Sequence, residues 1–340
     1  MATKTPLHVV VQKIQNREIT KDETAKYFTV SPKAEKPFDF NIRINTANVD
    51  TANAPSAHAM AGPLLRDAGV ALQLKRPKAE AKPKFQRKLP LIAEGDSWFK
   101  LPDLGDVVPE TLIDFLQNEY ATVNLAHWGD TLAEMIMKGE FWSFIESGSS
   151  DVLLLSGGGD DVLGAGELAA FIELFDVDHA KPQDAPYYIK KEFYENLKSV
   201  IAKYDALLNT IKSRTPYVVM VGHGYDYAIP RVNGRWLGGP LAERGIDPID
   251  HLDLGKAIIK LMIDAFNIKL KSLETTHPDN FRYVDLRKML AADDWWDELH
   301  PKNEGAQKTE GKFAEAISDL PASTQIVASP LKEHADRLVA

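Results

Sequence analysis

From Leu89 onward, short apolar runs alternate with stretches whose apolar residues recur every three or four positions. "LPLIAEG" from Leu89, "ATVNLA" from Ala121, "DVLLLS" from Asp151, "PYVVMVGHG" from Pro216 and "FRYVDL" from Phe281 are rich in Val, Ile, Leu and Tyr and stop at Gly, Ser or Asp. Strands buried on both faces have this pattern. Between them, "PETLIDFLQNEY", "DTLAEMIMKGEFWSFI", "KKEFYENLKSVIAKYDALLNTIKS" and "HLDLGKAIIKLMIDAFNIKLKSL" carry the helical spacing. Strand and helix in alternation imply right-handed crossovers and a doubly wound α/β sheet with helices on both faces. In such sheets a site forms at the carboxyl ends of the strands.

The preceding residues follow a different pattern. Residues 1–74 form an N-terminal extension in which "HVVVQKIQNREITKDETAKYF" predicts a helix or two, whereas "NTANVDTANAPSAHAMAGP" is small-residue sequence of little periodicity. Residues 75–88, "KRPKAEAKPKFQRK", are basic and contain two prolines. They read as a linker, with a contact to nucleic acid or anionic lipid as the other reading. The α/β unit spans 89–320, and 321–340 form a tail. With 340 residues, 44% of them apolar, the chain can bury a full core. A charge of −9 argues against general nucleic-acid binding, and the absence of cysteine removes disulfides, thiol nucleophiles and zinc–thiolate sites. The N-terminal apolar run is too short for a signal-peptide core, and no stretch approaches membrane-spanning length, so the cytoplasm is the expected compartment.

The strand-end rule then selects residues. The first strand ends in Gly95-Asp96-Ser97-Trp98, and the second leads into His127-Trp128-Gly129-Asp130-Thr131. The third ends in "SGGGDD", Ser156 to Asp161, and the fourth in "GHGYDY", Gly222 to Tyr227. After the fifth comes "AADDWWDELHP". Ester hydrolysis by serine needs a hydroxyl, an imidazole, a carboxylate to orient it, and donors for the oxyanion. Ser97, His300 and Asp297 fit the first three roles. Phe99 stands where the α/β-hydrolase elbow needs glycine, and the glycine run matches neither nucleotide fingerprint.

"EGDSW", "NLAHWGDTL", "LLLSGGGDDVLG" and "DELHPKNEG" resemble the four ordered blocks of the SGNH (GDSL-type) hydrolases, in a branch with Trp after the serine; the likeness runs from about Leu89 to Leu320. The resemblance implies a three-layer α/β/α flavodoxin-like fold with a five-stranded parallel sheet of order 2-1-3-4-5, and an acyl-ester hydrolase or acyltransferase that needs no metal and no cofactor. It makes Ser97 the nucleophile, His300 the base and Asp297 its orienting carboxylate, with the N–H groups of Ser97 and Gly129 as oxyanion donors. Asp160 occupies the third-block position where the family has a donating Asn. An ionised carboxylate there repels the oxyanion, so three possibilities stay open: Asp160 is held neutral by burial beside Asp161, the hole works with two backbone donors, or activity is weak.

Trp98, Trp128, Tyr225 and Trp295 are candidate substrate-binding residues, implying a small-molecule or lipid ester with an apolar group; each also reads as sheet-edge packing. The Gly- and Pro-rich stretch from Gly224 to Asp250 reads as an insertion covering the site, with Tyr225 and Asp226 as lid structure or substrate contacts. His127 and His223 are rival bases that read more simply as structural. Two other functions stay in view: a metal-dependent phosphoester hydrolase using Asp96, Asp130, Asp160 and Asp161, and a non-catalytic scaffold recruiting a partner through residues 1–88. An imidazole base must be neutral, so activity is expected to fall below about pH 6.5.

Overall fold

The computed structural model describes residues 4–16, 18–32, 40–52, 61, 64, 65, 68, 89–104, 108–163 and 167–320. The basic linker and the C-terminal tail lie outside the described residues.

The N-terminal residues build two small sheets. β1 (Thr5–Pro6) leads into helix α1 (Leu7–Gln15), which buries Leu7, Val10 and Ile14. Helix α2 (Lys21–Tyr27) starts with a capping box between Thr20 and Glu23, which satisfies two of the amide groups that a helix start leaves open. β2 (Phe28–Pro32) pairs antiparallel with β3 (Phe40–Ile44), and β4 (Val49–Asp50) pairs parallel with β1. The helices match the sequence pattern. The β2–β3 pair was not anticipated, although "FTVS" and "FNIRI" each alternate apolar and polar residues as a half-buried strand does.

The main sheet is made from the five apolar runs: β5 (Pro90–Gly95), β6 (Ala121–Asn124), β7 (Val152–Ser156), β8 (Val219–His223) and β9 (Phe281–Val284). Its order is β6-β5-β7-β8-β9, all parallel, which is the expected 2-1-3-4-5 order. Every residue of β7 and β8 is buried, as their unbroken apolar runs imply. Helices flank the sheet and complete a three-layer α/β/α arrangement. α3 (Leu112–Leu116) packs on α7 (Asn303–Ser318), and α5 (Lys191–Arg214) packs on α4 (Leu132–Lys138) and α6 (Leu252–Thr276). One expected helix is divided: "DTLAEMIMKGEFWSFI" breaks after Lys138 because Gly139 takes φ +57° and closes α4, the left-handed stop that glycine accepts most readily.

One charged residue lies inside the sheet. Glu94 is 2% exposed; its Oε1 accepts the Gly95 N–H at 3.0 Å, while Oε2 has no hydrogen-bond partner among the described residues. Burial pushes its carboxyl up from 4.5 to about 8. Between those two values the folded chain keeps a proton that the unfolded chain has released, so this group's contribution to stability is lost as pH rises through the window. Glu94→Gln, which stays neutral, should therefore gain in Tm relative to the parent between about pH 5 and about pH 8.5. Parallel Tm profiles for the two proteins would contradict this.

Candidate functional site

The carboxyl ends of β5, β6, β7 and β8 are tied together before any functional side chain is considered. Asp96 N–H extends the ladder to the Ser156 carbonyl at 3.0 Å, and His127 N–H reaches the Gly95 carbonyl at 2.9 Å. Gly95 is required here, since a Cβ would sit 2.7 Å from that of Ser156. β6 stops two residues earlier than its apolar run, because the Asn124 side chain turns the chain: it accepts Ala126 N–H at 3.1 Å and donates to the Phe99 carbonyl at 2.8 Å. The loop after β6 is thereby fixed to the turn after β5.

That turn carries Ser97. Asp96 organises it: its carbonyl accepts Phe99 and Lys100 N–H, each at 3.1 Å, and its Oδ1 accepts Trp98 N–H at 3.0 Å. Ser97 Oγ lies 2.8 Å from His300 Nε2, and His300 Nδ1 lies 2.8 and 2.9 Å from the two oxygens of Asp297. Asp297 Oδ1 also accepts Leu299 and His300 N–H at 2.8 and 2.7 Å. Burial pushes the Asp297 carboxyl up, but His300 and the two amides outweigh it and hold the group below its ordinary value. A charged Asp297 accepts Nδ1–H, so the lone pair on Nε2 faces the Ser97 hydroxyl.

A second polar chain lies beneath the first. Buried His223 points Nδ1–H at the Gly224 carbonyl, 3.0 Å away, and its Nε2 lies 2.8 Å from Ser156 Oγ, which is 2.7 Å from Asp96 Oδ1. Tyr225 donates its hydroxyl to Asp96 Oδ2 and accepts Gly159 N–H at 3.1 Å. Burial lowers His223 to about 4. With His223 neutral, the single Ser156 proton serves one neighbour, and the other contact needs a proton on Asp96. Burial raises that carboxyl to about 6, with the Tyr225 hydroxyl and the Trp98 N–H opposing the rise, and upward is the direction this proton inventory requires. His223 is thus engaged under the nucleophile and not on it. His127 likewise bonds the Trp128 carbonyl at 2.8 Å and stacks on the Trp128 ring.

A small pocket opens at Ser97, lined by Trp98, Asp160, Leu163, Tyr225, Ile263 and Trp295 among others. Three of the four aromatic candidates are therefore at its wall. Trp128 stands apart from this pocket, edge-on to Phe40 at 6.4 Å. Gly129 is buried in the adjoining loop with φ +76°. Asp160 is buried and lines the pocket. Asp161, expected beside it as a carboxyl pair, is instead engaged with α4: its carboxylate accepts Leu132 N–H at 2.9 Å and lies 4.0 Å from Lys203. The other acids are equally dispersed, Asp130 onto Lys138 and Asp96 onto hydroxyls. Among the described residues, no group of three or more metal-ligating side chains gathers.

The insertion after β8 supplies Tyr225, Asp226 and Ala228 to the lining of the pocket. It also clasps the loop that bears the imidazole. Glu298, between Asp297 and His300, is buried and accepts four backbone N–H groups of the insertion: Arg231 at 2.9 Å, Trp236 at 2.7 Å, Leu237 at 3.1 Å and Gly238 at 2.8 Å. Arg231 returns two bonds of 3.0 Å to the carbonyls of Trp295 and Trp296. Asp226, read from sequence as lid or substrate contact, accepts Tyr227, Lys288 and Leu290 N–H, each at 2.7 Å. Carboxylates holding several amides fix a loop strongly. Sequence reasoning missed Glu298 and Arg231 because their partners are backbone groups, which leave no mark in residue type.

No family model matches the chain, and no curated protein matches it. Solved structures similar to it include an extracellular lipase from Streptomyces rimosus, 14% identical, covering 67% of this chain and 99% of that one with a TM-score of 0.44. A phospholipase A1 from Streptomyces albidoflavus is 14% identical, with coverages of 67% and 99% and a TM-score of 0.43. A GDSL-like lipase from Bacteroides thetaiotaomicron is 12% identical, with coverages of 67% and 87% and a TM-score of 0.40. The chemistry of the site rests on its own hydrogen bonds and not on these likenesses.

Proposed function

We propose that this chain is a serine-dependent acyl-ester hydrolase. The observation that carries the reading is the continuous chain Ser97 Oγ, His300 Nε2, His300 Nδ1, Asp297, with 2.8 Å at the nucleophile and 2.8 Å at the carboxylate. His300 Nε2 takes the Ser97 proton as Oγ attacks the ester carbonyl. The tetrahedral oxyanion is held by Ser97 N–H and Gly129 N–H, and Nε2–H then protonates the departing alkoxide, leaving an acyl-serine. Water gives a proton to His300 and attacks the acyl carbon; collapse releases the acid and returns the proton to Ser97. The pocket walls of Trp98, Leu163, Ile263 and Trp295 suit an ester with an apolar group.

Stopped-flow hydrolysis of a p-nitrophenyl ester tests this directly. An acyl-enzyme predicts a nitrophenol burst close to one equivalent when deacylation is slower, with rates unchanged by a chelator. Rates that collapse on chelation, with no burst at any acyl length, would favour metal-dependent chemistry.

Asp160, buried in the pocket wall, is placed in this mechanism as a donor to the oxyanion. Asp160→Asn keeps a donor that no longer titrates, so kcat should be retained or raised at alkaline pH, where a carboxyl would ionise and repel the oxyanion. A loss of about 10²-fold in that variant would show that the carboxylate has another role.

A further inference from the structure

The N-terminal residues reach the reacting groups. Phe40, the first residue of β3, is buried with its ring centroid 6.4 Å from that of His300 and 6.4 Å from that of Trp128; the Trp296 ring lies 6.2 Å from His300. Phe40 belongs to an apolar cluster that joins α1 and β2 to Leu101, Leu104 and Val108, just downstream of the nucleophile, with Trp128 and Trp296 packed against it. One N-terminal core thus touches the chain after Ser97, the loop that carries Gly129 and the loop that carries Asp297 and His300.

Chemistry gives this contact a direction. The alkoxide leaving the tetrahedral intermediate must take its proton from His300 Nε2, which requires its oxygen within about 2.6–3.2 Å of that nitrogen. Whatever the oxygen carries must then extend along the imidazole. The pocket that opens at Ser97 is walled by other residues, Trp98, Leu163, Ile263 and Trp295 among them, and includes none of Phe40, Trp128 or Trp296. Trp128, whose ring His127 stacks against, and Trp296 are only partly buried. Apolar surface therefore exists in two places, one opening at the serine and one against the imidazole.

We propose that Phe40, Trp128 and Trp296 form the wall that binds the alcohol portion of the ester, making the N-terminal unit part of the active site and selecting esters of flat, apolar alcohols. This rests on the ester-hydrolase reading. Aromatic rings offer stacked or edge-on contact to such a group and little to a short alkyl chain. Loss of one ring should reduce the preference for an aryl over an alkyl alcohol by about 3- to 10-fold.

The test uses the full chain with phenyl acetate and ethyl acetate, which share an acyl group and differ in the alcohol. Phe40→Leu, which keeps apolar bulk, and Trp128→Leu, at a less buried ring, should each lower the ratio of kcat/KM for phenyl over ethyl acetate by that factor. Phe40→Tyr, which keeps the ring, should hold it. Hydrolysis of the acetyl-enzyme, from which the alcohol has gone, should proceed at the parent rate. An unchanged ratio in both Leu variants would overturn the proposal, as would an equal fall in deacylation, since the rings would then only support the imidazole. Failure of the parent protein to acylate at Ser97 would instead overturn the ester reading beneath it.

Discussion

Ser97→Ala is expected to lower kcat for ester hydrolysis by about 10⁶-fold, the scale at which serine triads fail when the nucleophile is removed. The residual rate should still exceed that in water, because the oxyanion donors and the apolar pocket remain. The fold should survive: the hydroxyl's partner, His300, stays held by Asp297, and Asp297 by the Leu299 and His300 amides. The turn after β5 is set by Asp96 and not by Ser97. Losing one hydrogen bond costs about 1 kcal/mol, so thermal unfolding should shift little while activity vanishes. Initial rates on an activated ester, with Tm measured on the same preparation, make the comparison. Activity within tenfold of the parent would remove Ser97 from the chemistry and leave the scaffold or metal readings.

Asp297→Asn is expected to cost about 10⁴-fold in kcat with little change in KM, for a reason of proton placement. The carboxylate presents both oxygens to Nδ1, at 2.8 and 2.9 Å, and one of them also accepts two backbone amides. In the amide, the oxygen will stay on the Leu299 and His300 N–H groups, because the alternative aims NH₂ at two donors. The NH₂ then faces Nδ1 and donates to it, which forces the proton of neutral imidazole onto Nε2. Nε2 can no longer accept from Ser97. Measuring kcat and KM separately distinguishes this from loss of the loop, which would raise KM as well. A variant with near-parental kcat would mean that the carboxylate neither selects the tautomer nor stabilises the imidazolium.

The main sheet was legible because its central strands are buried on both faces: "DVLLLS" and "PYVVMVGHG" carry no alternation that a different sheet would need, and β7 and β8 are wholly buried, whereas the edge strand β6 has no buried residue. The convergence of Ser97, Asp297 and His300 was legible for the same reason, since residues just past parallel strands share one edge. Local turn chemistry was harder to read. Gly139 dividing one helix pattern, and Asn124 ending β6 two residues early, both act through a single backbone position. The clasp of Glu298 on residues Arg231 to Gly238 was illegible, because four amides converge on one carboxylate from a loop some 60 residues away. Asp161 shows the opposite error: adjacency in sequence suggested a carboxyl pair with Asp160, but successive residues at a helix start point apart, and α4 captures it.

The most direct test of the account is intact-mass analysis after treatment with a small fluorophosphonate, followed by peptide mapping. The geometry of Ser97, His300 and Asp297 predicts a single adduct on Ser97 that is absent from His300→Ala, because only a serine whose proton is taken by an imidazole attacks phosphorus at a useful rate. A folded, unlabelled parent protein, or equal labelling in His300→Ala, would contradict it.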